Sequence, residues 1–211
     1  MARENMDERW GFETRAIHAG QKPDPQTGAI TVPVYQTTTY EQDEVGKDRG
    51  YEYSRTGNPT RDALEISVAA LEGAEFGRAF ASGMAAEDTI LRLLNPGDHI
   101  VMGNDAYGGT FRLISKVLTR MGVTWSAADF SKRENIENCV TDRTRVIWAE
   151  TPSNPLLSIV DIQMLSEVAH SIGAWCVVDN TFATPYLQQP LAHGADFVVH
   201  SATKYLGGHS D

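Results

Sequence analysis

Short apolar runs alternate with stretches of helical spacing from about residue 60 onward, and this alternation constrains the fold more than any other feature. The runs cover 79–81, 99–102, 123–126, 145–149, 175–178 and 197–199. Between them Leu64, Val68 and Leu71, then Ile90, Leu91 and Leu94, then Leu165, Val168, Ala169 and Ile172 recur at the three- and four-residue spacing of one helix face. Gly73, Gly122 and Gly173 stand where such stretches stop. The pattern predicts helices over 60–73, 82–94, 104–121, 131–140, 161–172 and 187–193. Ser131 with Glu134 gives the fourth a capping box, and Asp161 caps the fifth. Strands alternating with helices indicate an α/β domain whose mostly parallel sheet is flanked by helices.

Residues 1–60 lack this pattern. Pro23, Pro25 and Gly28 punctuate them, so they read as an irregular N-terminal arm ahead of a domain over 61–211. An arm this long is unusual unless it has a task, such as wrapping a partner subunit. Its last part, Tyr53-Ser54-Arg55-Thr56-Gly57-Asn58-Pro59-Thr60, places an arginine and hydroxyls at a helix entry. Arg55 there is either a phosphate grip with its planar fork or a solvated side chain.

Composition closes several other routes. A net charge of −10 with no basic run leaves no surface for nucleic acid. The histidines show no metal-ligand spacing, and surface or loop roles are the default for His18, His99, His170 and His193. Cys139 and Cys176 do not make a disulfide framework, and Cys176 reads as a small core residue. No stretch approaches the roughly 18 apolar residues of a membrane span, and the charged start has no apolar leader core. The expectation is a soluble protein of the cytoplasm.

The unusual polar residues sort to the ends of the apolar runs. Ser82, Gly83 and Met84 follow one run, Tyr107 another, Glu150 and Asn154 a third, Asp179 a fourth, and Ser201, Thr203 and Lys204 a fifth. In open α/β sheets that is the edge where ligands bind. Glycine at a helix start exposes backbone N–H groups to an anion, although the same three residues also suit a plain strand-to-helix turn. Neither a GxGxxG fingerprint nor a GxxxxGK[ST] loop is present, so a phosphate bound here belongs to a cofactor smaller than a dinucleotide. Lys204 is the one lysine of five that follows directly on an apolar run. Burial would make it a usable amine nucleophile; the alternative is a lysine emerging into solvent. Asp179 ends an apolar strand and needs a partner, which a protonated pyridine nitrogen would supply. Tyr107 is either a ring laid on a flat cofactor or a core tyrosine. An acid and a lysine on successive strand ends suit pyridoxal phosphate: the lysine forms the Schiff base and the acid keeps the ring nitrogen protonated.

Together these residues resemble the Cys/Met metabolism family of pyridoxal phosphate enzymes, of fold type I. The match is carried by Asp196 to Ser210 around the lysine, by Tyr53 to Arg61, by Ser82-Gly83-Met84, by Asp105 to Thr110 and by Asp179-Asn180-Thr181-Phe182. The resemblance implies that Lys204 carries the cofactor, that Asp179 pairs with its pyridine nitrogen, and that Tyr107 stacks on its ring. It implies that Gly83, Met84, Ser201 and Thr203 hold the phosphate and that Asn154 approaches the phenolic oxygen. Tyr53 and Arg55 would reach the phosphate in a neighbouring subunit, which implies a homodimer paired into a homotetramer. The forms of 53–61 and 107–110 look most like the family's cystathionine gamma-synthases and gamma-lyases. The substrates implied are an O-acylhomoserine (succinyl or acetyl) with cysteine, or cystathionine. Members of the family run to nearly twice this length. The C-terminal domain, with its carboxylate-binding arginine, is therefore expected to be absent from this chain, which alone should bind cofactor poorly.

Overall fold

The computed structural model describes residues 10–208, so Met1 to Arg9 and the His209 and Ser210 of the lysine motif lie outside the described residues. The chain falls into two compact units, Met1–Ala79 and Phe80–Asp211.

The first unit carries the helix expected after residue 60, and also one within the stretch 10–58, whose proline and glycine content had suggested only irregular chain. It contains α1 (Phe12–His18) and α2 (Pro59–Glu72). Asn58 caps α2 by accepting the Thr60 N–H at 2.9 Å, Pro59 opens the first turn, and Gly73 ends the helix at φ +70°. Arg15 on α1 donates to the Ala70 carbonyl at 3.1 Å. Gly20 follows α1 at φ +77°, and a Cβ there would lie 2.4 Å from the Ala63 carbonyl oxygen, so only glycine fits. The intervening chain is pinned to α2: the Tyr35 N–H donates to Thr60 Oγ1 at 2.9 Å, and the Tyr51 hydroxyl donates to Asp62 at 2.8 Å. Sequence periodicity could not show these bonds, because they join an aperiodic segment to a helix far along the chain.

The second unit is built on five parallel strands: β1 (His99–Gly103), β2 (Thr124–Ala128), β3 (Thr144–Glu150), β4 (Trp175–Asp179) and β5 (Phe197–Val199). Their order is β2-β1-β3-β4-β5. Strand side chains alternate between faces. Ile100, Met102, Val146, Trp148 and Val177 enter one core with Leu91, Ile114 and Leu118. Val101, Ile147, Ala149, Cys176 and Val178 enter the other with Ile136, Leu165 and Val168. The first core is covered by α3 (Gly83–Leu91) and by the segment starting with α4 (Gly108–Arg112). The second is covered by α5 (Arg133–Glu137) and α6 (Ile162–Ser171). The result is the helix-flanked parallel sheet expected.

Several local expectations need correction. The run at 79–81 is not a strand; those residues join the two units. The helix expected over 104–121 is α4 continued by a π turn (Leu113–Val117) and a 3-10 turn (Leu118–Met121). Ser131 does not cap α5: its N–H is taken by Asp129 at 2.9 Å, and the cap position is Lys132. In place of a helix over 187–193 there are α7 (Thr184–Leu187) and a 3-10 turn (Pro190–His193), since Pro190 cannot donate to continue a helix. His99 is buried, not a surface residue. Its ring nitrogens meet Thr144 Oγ1 at 2.9 Å and Ser126 Oγ at 3.0 Å, and burial lowers its pKa.

Asp161 does cap α6, accepting the Met164 N–H at 3.0 Å. Asp161→Ala should cost about 1 kcal/mol of stability, read as a lower denaturant midpoint at unchanged slope. Among the described residues no helix is long and apolar enough to cross a membrane.

Candidate active site

Because every strand of the second unit runs the same way, their carboxyl ends share one edge of the sheet. The strand order reverses between β1 and β3, and such a switch point opens a crevice for a ligand. Register places Glu150 beside Asp179, and Asp179 beside Val199, along that edge.

A narrow approach lies at one end. A Cβ on Gly83 would stand 2.9 Å from Ser201 Cβ and 3.1 Å from both its Cα and Oγ. The N-terminus of α3 therefore touches the chain leaving β5. Ser82 caps the helix by accepting the Ala85 N–H at 3.1 Å. The amides of Gly83 and Met84 lie in the first turn, where no intrahelical acceptor exists. The helix dipole adds positive character there. Ser201 is held in turn: its N–H donates to Thr181 Oγ1 at 2.8 Å, and the Thr181 N–H donates to Asp179 Oδ1 at 2.9 Å. Thr181 thus joins the acid at the end of β4 to the cradle.

Tyr107 stands at the β1 side, 42% exposed, with its N–H donating to Glu150 Oε2 at 2.7 Å. A Cβ on Gly109 would lie 2.4 Å from Tyr107 Cε1 and 2.9 Å from Met84 Sδ. The absence of a side chain at 109 is what lets the tyrosine ring and the α3 methionine come together. Asn154 is half-buried in the loop after β3, where the Thr151-Pro152 and Asn154-Pro155 bonds are cis. Thr203 is half-buried and Lys204 exposed in the turn after β5, with the Lys204 N–H donating to the Ser201 carbonyl at 3.1 Å. Burial of the lysine is therefore not seen. β5 is an edge strand on which Val199 alone is fully buried, and Lys204 lies beyond it in a turn. Tyr53 and Arg55 belong to the first unit, where the Arg55 guanidinium carbon lies 4.8 Å from the Tyr53 ring centroid.

Three carboxyl groups of the second unit, those of Glu87, Glu150 and Asp179, are buried. Burial pushes Glu150 up to about 8, with the Asp179 charge adding to it and the Tyr107 N–H opposing it. Burial pushes Glu87 up to about 7, against the hydroxyl of Thr110, which donates to it at 2.7 Å. Asp179, 6% exposed, is also raised by burial, against its bonds to Thr181 and the nearby His200. An aromatic group with a ring N–H facing Asp179 and a phosphate facing Gly83 would meet complementary chemistry at both ends. The residues present therefore fit pyridoxal phosphate.

Glu87 and Glu150 hold protons in the folded state up to about 7 and 8, against 4.5 for an ordinary glutamate. Their contribution to stability is complete below 4.5 and is lost as pH rises through those folded values. Discounted for partial solvation, a loss of about 1 kcal/mol corresponds to a fall of roughly 2–4 °C in Tm of the cofactor-free protein between pH 5 and pH 9. A calorimetric pH series on wild type and Glu87→Gln checks this; an equal slope in the variant would remove Glu87 from the account.

The family model described as Cys/Met metabolism PLP-dependent enzyme, PLP being pyridoxal phosphate, matches residues 13–211. The chain belongs to that family. It is 58% identical over 203 residues to a cystathionine gamma-synthase of Mycobacterium bovis, covering 95% of this chain and 52% of that protein. It is 53% identical over 199 residues to a cystathionine gamma-lyase of Bacillus subtilis, covering 94% and 52%. The crystal structure of metB from Corynebacterium glutamicum superposes with a TM-score of 0.95 at 54% identity, covering 98% of this chain and 54% of that one. The chain thus spans about half the length of the relatives it matches.

Sequence reasoning assigned no part to Glu87, Thr181 or Gly109. Glu87 carried a usable signal: it shares a helix face with Met84 and Leu91, so a carboxylate was being turned into a core. Gly109 carried none, because its role depends on a ring folding back from two residues earlier.

Proposed function

We propose that this chain supplies the cofactor-binding half of a pyridoxal phosphate enzyme of transsulfuration, a cystathionine gamma-synthase that joins an O-acylhomoserine to cysteine. What carries the reading is the pairing, on one sheet edge, of the Gly83–Ser201 approach with the buried acid Asp179. Gly83, Met84, Ser201 and Thr203 hold the phosphate, Ser82 shapes the turn, and Tyr53 and Arg55 of a neighbouring copy complete the grip. Tyr107 lies on the ring, Asp179 faces the ring nitrogen, and Asn154 approaches the phenolic oxygen. Bound there, the cofactor supplies an electron sink for negative charge developing on the substrate's carbon chain. Asp179 keeps that sink protonated, because a cation beside a buried carboxylate is favoured over either group alone. Lys204 anchors the cofactor and afterwards takes and returns the proton at the substrate Cα. The arm over 1–60 packs against the neighbouring subunit, and the assembly is a homodimer paired into a homotetramer working in the cytoplasm.

A gamma-lyase is the second reading, supported by the Bacillus subtilis relative at 53% identity. Product analysis separates them. The intact protein with pyridoxal phosphate should convert O-succinylhomoserine and cysteine to cystathionine and succinate. Release of 2-oxobutanoate and ammonia from cystathionine alone, without synthesis, would favour the lyase. Neither product would overturn the enzyme reading altogether.

A further inference from the structure

Glu150 and Asp105 lie on opposite sides of the β1/β3 switch point, and each accepts a hydrogen bond from the segment across it. The Tyr107 N–H, in the loop after β1, donates to Glu150 at the end of β3 at 2.7 Å. The Ser153 hydroxyl, in the loop after β3, donates to Asp105 Oδ2 at 2.5 Å, in the loop after β1. Ser153 is fully buried, and its Oγ also accepts the Ser158 N–H at 3.0 Å, which folds the loop around Asn154 into a closed turn. Crossover bonds of this kind are not required by a parallel sheet, whose strands already pair below them.

We propose that Glu150 and Asp105 are positioning residues that clasp the two switch-point loops, fixing the height of Tyr107 and the place of Asn154 over the ligand edge. Tyr107 opens α4 and its N–H has no intrahelical acceptor, so without Glu150 it would turn to water and the ring would be free to swing. Gly109 offers no side chain to stop that swing, since it is bare to admit the ring. The carboxylate therefore supplies a restraint that the local backbone lacks. Ser153 is in the same position: buried, it needs Asp105 as its acceptor, and Asn154 is its neighbour in the chain.

The clasp itself is independent of cofactor, whereas its consequence for Tyr107 rests on the pyridoxal phosphate reading. Hydrogen exchange in the cofactor-free intact protein tests the first. Glu150→Ala should speed exchange of the Tyr107 amide about tenfold or more. Glu150→Gln keeps an acceptor oxygen and should stay within about threefold of wild type. Ser153→Ala should speed exchange of the Ser158 amide to a similar degree from the other side. Titration with pyridoxal phosphate, followed by visible circular dichroism, tests the second: a Kd raised about tenfold in Glu150→Ala and restored in Glu150→Gln. Unchanged exchange in Glu150→Ala, or equal damage from Ala and Gln, would overturn the clasp. If wild type takes up no cofactor, the functional reading fails while the exchange data still decide the clasp.

Discussion

Lys204→Ala is expected to abolish the visible absorption that the intact protein acquires with pyridoxal phosphate, and to lower turnover by about a thousandfold or more. The lysine hangs from the cradle: its backbone N–H donates to the carbonyl of Ser201, the residue that meets Gly83. A phosphate held at Gly83 and Ser201 would keep an aldehyde on the same small molecule within reach of that side chain. Lys204 would hold the cofactor through its side-chain amine, and the cofactor would supply the carbonyl that accepts it. The gain comes from proximity, which for well-oriented groups amounts to an effective concentration of about 10⁵ M or higher. Alanine has no amine to contribute, yet the phosphate contacts remain. The variant should still bind cofactor weakly, visible as protection of the α3 N-terminus in hydrogen exchange. The other lysines, Lys22, Lys47, Lys116 and Lys132, provide the built-in challenge. A visible band that survives in Lys204→Ala would move the attachment to one of them and sink the assignment.

The layered sheet was legible because its strands are short, its central strands β1, β3 and β4 are largely buried on both faces, and helices of regular period separate them. Ile147, Trp148 and Ala149 run as an unbroken apolar stretch, as a strand covered on both faces requires. The gathering of Tyr107, Asp179 and Ser201 at one edge was legible for the same reason, since parallel strands put all their carboxyl ends together; Ser82 to Met84 follow no strand and reach that edge through the Gly83–Ser201 approach. What failed depended on contacts across long stretches of chain. The run at 79–81 has strand-like residues but no strand beside it, and α1 lies in a segment whose prolines suggested only loop. His99 looked like a loop residue because its partners, Thr144 and Ser126, come from two other strands. The place of Lys204 after an apolar run left a buried amine and a lysine emerging into solvent both open; that run proved to be an edge strand and the lysine is exposed. The close approach of Gly83 to Ser201 could not be read at all, since glycine at a helix start is compatible with any spacing to a distant strand.

That approach makes the second large prediction: Gly83→Ala should weaken cofactor binding about 100-fold, or about 2.8 kcal/mol at 1.4 kcal/mol per tenfold. Backbone conformation is not the reason, since Gly83 begins a regular helix. Space is the reason. The new methyl would sit 2.9 Å from Ser201 Cβ and 3.1 Å from its Cα, and a rotamer change moves neither atom. The first turn of α3 must therefore retreat from β5, carrying the Gly83 and Met84 amides away from the Ser201 hydroxyl. Gly103 provides a control on the same edge: a Cβ there meets its nearest neighbours at 3.6 Å, an ordinary contact, so Gly103→Ala should bind within about threefold of wild type. The decisive variant pairs Gly83→Ala with Ser201→Gly. Removing the Ser201 side chain lets the helix return, at the cost of one hydroxyl to the phosphate. The double variant should bind more tightly than Gly83→Ala alone, a coupling that two independent losses would not give. Additive losses would mean that the two residues meet without sharing a ligand, and the phosphate would have to be sought elsewhere on the edge.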